Sequence, residues 1–156
     1  MASGQGDNAG VVAPPPLIYV VPLGIGLYLN RANPFPIMPA RFAQTIGVAL
    51  LGLGFILGLS AFVQFWRKHT SVMPYSPTTA IIQSGPFRLT RNPLYVAMTL
   101  LYVGVALIMN AAWPLLLLPL VLLIVHRGVI QREERYLEQK FGDEYISYKS
   151  RVRRWI

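Results

Sequence analysis

The sequence contains no cysteine. Disulfides, thiolate metal sites and a cysteine nucleophile are therefore excluded, and the redox compartment is left open. Charge is scarce as well. Asp, Glu, Lys and Arg make up 13% of the 156 residues, against about 25% in an ordinary soluble domain. Acidic residues are rarest, 6 against 14 basic ones. The 2 histidines, His69 and His126, are too few for a histidine-based metal centre, so no metal is expected. No HExxH, P-loop or plausibly spaced Ser/His/Asp set occurs, so the chain carries none of the usual sequence marks of zincins, P-loop NTPases or serine hydrolases.

What is present is apolar surface and positive charge. Hydrophobic residues make up 54% of the chain and the formal net charge is +8, with a mean hydropathy of +0.47. A basic balance can signal nucleic acid. With this hydropathy it signals basic flanks facing anionic lipid instead, and no nucleic-acid partner is expected. The length suits one compact unit. The opening MASGQGDNAGVVAPPP lacks a basic n-region and reads as a disordered polar leader over residues 1–16. Residues 17–156 form one domain.

Charge gaps locate the membrane segments. Phe42 to Trp66 is free of Asp, Glu, Lys and Arg and exceeds the roughly 20 apolar residues a span requires. Gly54 and Gly58 lie inside it, at the small-xxx-small spacing that lets a second helix approach. Gly52-Leu-Gly54 has no strand before it and is not a nucleotide loop. A second gap, Asn92 to His126, is too long for one span and is broken at Asn110-Ala-Ala-Trp-Pro114. Proline suits a helix start, so this gap reads as a helical hairpin, Pro93 to about Met109 and Trp113 onward, its second arm passing Arg127. Leu17–Asn30, interrupted by Pro22, is the remaining span. The fold class is thus all-α and polytopic, with four transmembrane helices.

Basic residues set the orientation. Arg67, Lys68, Arg88 and Arg91 occupy the loop between the two gaps, and eight of the fourteen follow from Arg127 onward. The positive-inside rule puts that loop, the tail and both termini in the cytoplasm. The tail QREERYLEQKFGDEYISYKSRVRRWI is amphipathic, with Leu137 and Phe141 four apart. Gly142 suits a C-cap and Asp143 a new N-cap. Trp155 with Arg151, Arg153 and Arg154 suits an anchor at the lipid interface.

Polar groups converge at that cytoplasmic end. Arg88, Arg91, Asn92 and Tyr95 enter the hairpin's first arm, and His126, Arg127, Gln131, Glu133 and Glu134 leave its second. At helical spacing Arg127, Gln131, Glu134 and Glu138 share one stripe, and His126, Ile130 and Glu133 the next. Singly, each has an ordinary explanation: Asn92 and Pro93 as a helix cap and first residue, Arg127 as a snorkelling cation, the glutamates as a solvated face. Together, ionisable groups at membrane depth favour a function.

These residues also carry a resemblance. GPFRLTRNPLYVA, an apolar hairpin, then REERYLEQKFGDEYISYKSRV resemble the isoprenylcysteine carboxyl methyltransferase and phospholipid methyltransferase superfamily. Its pattern reads roughly G-P-[YF]-x-x-x-R-H-P-x-Y-x-G, a hydrophobic stretch, E-E, then F-G-x-E-Y-x-x-Y. The match spans about Gly85 to Val152, with the cofactor-binding part over 84–152. It departs at Asn92, where the pattern has His, and at Ala97, where it has Gly. Asn can still hydrogen-bond but cannot be cationic or act as a base near neutral pH.

The resemblance implies an integral membrane, S-adenosylmethionine-dependent methyltransferase. Arg91, Asn92, Pro93 and Tyr95 would form the cofactor pocket, with His126, Glu133 and Glu134 closing it from the other arm. Arg127, near the methyl acceptor, and Glu133 would carry the reaction. Such a pocket is chemically coherent, since Arg matches a carboxylate, Glu accepts from ammonium and hydroxyl groups, and an aromatic face such as Tyr95 tolerates a sulfonium. The acceptor would be an amphiphile entering from the bilayer, such as a prenylated carboxylate. N- or S-methylation of a lipid or hydrophobic small molecule is the alternative, and a non-catalytic membrane scaffold is a further one.

Overall fold

The computed structural model describes residues 8–74 and 76–156. Among them it is all-helical: α1 (Pro15–Ala32), α2 (Ala40–Arg67), α3 (Pro93–Ile108), α4 (Ala112–Val125), α5 (Gln131–Phe141) and α6 (Asp143–Arg151). Proline sits in the first turns of α1 and α3, where its missing N–H would have had no intrahelical acceptor. Helix α1 continues across Pro22, so that residue does not end the segment.

Two helices are long and apolar enough to cross a membrane, Ala40–Arg67 and the continuous Ala112–Phe141. Helix α2 exposes Phe42, Ile46, Val48, Leu53, Phe55, Ile56, Leu59 and Phe62. Apolar surface around so much of a helix is stable against lipid, not against water.

The helices approach where side chains are small. A Cβ at Gly47 would lie 2.8 Å from the Gly104 carbonyl oxygen, and one at Gly54 would lie 3.1 Å from that of Ala97. Backbones of α2 and α3 therefore nearly touch. Gly58 is looser, 3.5 Å from the Ala97 Cβ. The expected small-xxx-small contact is made within the chain, and Gly47 and Gly104 extend it. Helix α1 meets α4 the same way, with Gly26 against Pro114. Between α1, α3 and α4 lies the core, built on Ile18, Tyr19, Tyr95, Tyr102, Val121, Val125, Val129 and Ile130. Tyr102 donates to the Pro114 carbonyl at 2.8 Å, which satisfies its buried hydroxyl.

The expected hairpin is present. Its turn passes through Asn110, a non-glycine residue with φ of 46°. The Asn110 side chain accepts from Ile37 N and donates to the Met38 carbonyl, binding the turn to the α1–α2 loop.

Between α4 and α5 the helix does not stop but widens into one π-turn, His126–Ile130, in which Gln131 N donates to the His126 carbonyl. The widened turn leaves the Gly128 carbonyl to accept from Val12 N at 3.2 Å. Arg132 Nη1 reaches the Gly10 carbonyl, and Ala9 N the Pro74 carbonyl. Residues 8–14 of the expected leader thus run along this end of the molecule, and residues 1–7 lie outside the described ones. Gly142, at φ of 52°, ends α5 as expected and opens α6.

Candidate functional site

Helix starts, the π-turn and the tail meet at the basic end of the bundle. The end of α2, the loop that follows it, the start of α3, and α5 with α6 line a cavity whose polar wall holds Arg91, Asn92, Tyr95, Glu133 and Glu134. Phe65, Ile82, Phe87, Pro93, Leu137, Tyr145 and Tyr148 form much of the rest. Residues from both arms of the hairpin, 38 or more positions apart in sequence, are therefore in one site.

Glu133 and Glu134 are neighbours in sequence but have different surroundings. Glu133 is half-buried and accepts from the Tyr95 hydroxyl at 2.8 Å. Glu134 is 5% exposed and is gripped by Arg154, whose Nε and Nη2 lie 2.9 and 2.6 Å from its two oxygens. Arg91 Nη1 stands 3.2 Å from Glu134 Oε1. That pair is misaligned, and the buried Arg91 Nε and Nη1 make no hydrogen bond among the described residues. Buried guanidinium nitrogens without acceptors are rare and point to a missing partner. Arg135 donates to the Gln131 carbonyl, and Lys140 to the Tyr136 hydroxyl.

Asn92 occupies the N-cap position of α3, but its side chain makes no capping bond. Its Nδ2 instead donates to the Arg154 carbonyl at 2.9 Å, and Thr90 Oγ1 donates to the same oxygen at 3.1 Å. Arg91 N donates to the Arg153 carbonyl. The helix start and the C-terminal segment are thus sewn together. Tyr148 completes the seam, donating to the Phe87 carbonyl at 2.7 Å. Burial pushes the Tyr148 phenol up to about 12 and raises that of Tyr145, while the Glu134 hydrogen bond holds the Arg154 guanidinium above its ordinary value.

Two expected site residues lie elsewhere. His126 lines a separate apolar groove with Trp155 and Leu122, and its Nε2 is 3.4 Å from both Arg154 Nη1 and Gln131 Nε2. Arg127 is exposed and does not line the cavity. The π-turn is the reason. Five residues advancing at a wider spacing rotate Arg127 off the stripe it would share with Glu134 in a regular helix. No group of three or more His, Cys, Asp or Glu able to hold a metal occurs among the described residues.

The family model for phospholipid methyltransferases matches residues 42–144, about two thirds of the chain. The chain belongs to the phospholipid methyltransferase family. This family lies within the isoprenylcysteine carboxyl methyltransferase-like superfamily, in agreement with the resemblance carried by the sequence, and the apolar helices are compatible with a helical membrane protein. An uncharacterised protein of Haemophilus influenzae is 57% identical over 35 residues, which is 22% of this chain and 56% of that protein. The chain thus spans about half the length of this curated relative. No solved structure matches the chain.

Sequence reasoning missed the tail. Arg154 and Trp155 read as a lipid-interface anchor, whereas Arg154 grips Glu134 and Trp155 packs on the core. Arg151, though exposed, turns to Gln83, and Arg153 is exposed, as such an anchor requires. The signal available was charge balance: a buried glutamate beside one arginine invites a second cation.

Proposed function

We propose that the protein transfers a methyl group from S-adenosylmethionine to an amphiphilic acceptor at the cytoplasmic face of a membrane. The observation that carries this reading is the buried Arg91 side chain, which lines the cavity and whose Nε and Nη1 make no hydrogen bond among the described residues. A carboxylate is the natural partner of such a fork, and the cofactor's amino-acid end presents one. Glu133, held by Tyr95 at its Oε1, keeps its second oxygen for an ammonium or ribose hydroxyl. Bound there, the cofactor would supply an electrophilic methyl on a sulfonium.

The chain's own residues then bind, orient and exclude water. Phe65, Phe87, Ile82 and Leu137 make the cavity wall apolar, which strengthens the polar contacts within it. Alignment of donor and acceptor supplies much of the rate of a displacement of this kind. The basic ends of α2 and α3 and the tail lie together, which supports a cytoplasmic site by the positive-inside rule.

A prenylated carboxylate is one acceptor of the right class. A second reading, N-methylation of a lipid amine, is favoured by the match to phospholipid methyltransferases over residues 42–144. Calorimetry with S-adenosylmethionine on the detergent-solubilised protein tests the cofactor, and an absence of binding at millimolar concentration ends the reading. Incubation with labelled cofactor and a lipid extract, followed by identification of the labelled product, decides between ester and amine.

A further inference from the structure

We propose that Arg154 is a positioning residue that keeps Arg91 open for an anionic ligand by occupying Glu134. The inference rests on the cofactor reading above and assigns a role to a residue outside the motifs that led to that reading.

Three charged groups meet beside the cavity: Arg91 and Glu134 in its wall, and Arg154 bonded to Glu134. One carboxylate cannot satisfy two guanidinium groups equally. Arg154 takes both oxygens of Glu134, at 2.9 and 2.6 Å, in the side-by-side geometry that makes such pairs strong. Arg91 is left with a misaligned approach of 3.2 Å to Oε1 and with Nε and Nη1 unbonded. Its positive charge is therefore only partly spent. Were Arg154 absent, Glu134 would have one cation left within reach, and the two would close on each other. The group that binds an anion would then be consumed inside the protein.

The backbone holds Arg154 where this is possible. Its carbonyl receives Asn92 Nδ2 and Thr90 Oγ1, and the preceding carbonyl receives Arg91 N. Asn92, Arg91 and Arg154 are thus one unit: the side chain that could have capped α3 fixes the residue that spares Arg91. Arg154 retains contact with solvent, its side chain being 32% exposed. It can be removed without burying a new uncompensated charge, because Glu134 keeps Arg91.

The experiment measures S-adenosylmethionine affinity by calorimetry for the full-length protein and for Arg154→Ala, Arg153→Ala and the double variant Arg154→Ala/Glu134→Gln. Arg154→Ala is expected to raise Kd at least tenfold, and Arg153→Ala, whose side chain is exposed, to stay within twofold of wild type. The double variant is the deciding one. Removing the carboxylate that captures Arg91 restores at least half of the lost affinity on a logarithmic scale. A tail that merely supports the fold predicts further loss, so a double variant binding more weakly than Arg154→Ala overturns the proposal, as does an Arg154→Ala variant that binds like wild type. Lowered thermal stability shared by both variants reflects the loosened tail and leaves the recovery of affinity as the readout. If wild type itself binds no cofactor, the cofactor reading fails. The seam is then judged by hydrogen exchange at the Arg91 amide: at least tenfold faster exchange in Arg154→Ala supports it, and an unchanged rate refutes it.

Discussion

Replacing Tyr95 by Phe removes a single oxygen from the cavity and leaves the ring in place. That oxygen donates to Glu133 Oε1 at 2.8 Å and is the side-chain hydrogen bond that orients this carboxylate. A hydrogen bond to a charged acceptor contributes about 1.5–3 kcal/mol, a span of roughly 10- to 150-fold in rate or affinity. Glu133 is half-buried, so water recovers part of the loss, and the lower end, about tenfold in kcat/KM for methyl transfer, is expected. The ring's packing with Tyr19 and Val129 in the core is retained, as is the Tyr95 carbonyl that accepts from Tyr19, so thermal stability changes little. The assay is transfer from labelled S-adenosylmethionine at varied cofactor concentration, with Kd measured separately. If the residue acts through its aromatic face against a sulfonium, Phe replaces it without loss. Activity and Kd both within twofold of wild type would refute the orienting role.

Two further predictions concern the scaffold. Gly47→Ala puts a methyl group 2.8 Å from the Gly104 carbonyl and 2.9 Å from Ile108 N, backbone atoms that cannot step aside, and is expected to destabilise by about 1–3 kcal/mol. Gly52→Ala meets nothing within 4 Å and should gain up to about 1 kcal/mol of helix propensity; thermal unfolding in detergent that moves the same way for both contradicts the close contact of α2 and α3. The Tyr148 phenol is raised by burial to about 12, against about 10 in an unfolded chain. A raised phenol contributes stability that is complete below pH 10 and is lost as pH climbs through 12, and Tyr145 adds in the same sense. Stability should therefore be level up to pH 10 and fall beyond it, less steeply in Tyr148→Phe, and a decline that begins well below pH 10 counts against this origin.

The spans and the hairpin were legible because each depends on local facts: runs without charge, and prolines and glycine at the helix ends. Pro93, Asn110 and Gly142 fall where capping and turn chemistry put them. The gathering of Arg91, Tyr95, Glu133 and Glu134 followed from an antiparallel hairpin, which leaves little freedom in which residues oppose each other. Harder to read was everything that depends on choice among partners. Asn92 satisfies the rules for an N-cap yet serves Arg154, since a buried carbonyl of the tail needs a donor more than an already ordered helix start does. Arg154 and Arg153 are adjacent and chemically identical, and only the fold decides which one meets a carboxylate. The stripe containing Arg127 assumed 3.6 residues per turn throughout, and no residue type in His126–Ile130 announces a wider one.

That wide turn lets the rod carry one extra residue between α4 and α5 without changing which way α5 faces. In a regular helix each residue turns the chain by about 100°, and the extra residue of His126–Ile130 is absorbed without breaking the rod. Deleting one residue there would scarcely shorten the molecule. It would make the wide turn a regular one and leave the face bearing Glu133 and Glu134 almost where it is. A residue deleted from the regular part of α4 would instead swing that face by about 100° and carry both carboxylates away from Tyr95 and Arg154. The same number of residues removed from α5 beyond Glu138 would leave them where they are. A cavity assembled across two arms of a hairpin is thereby sensitive to a single codon at one place and indifferent to it a few residues further on.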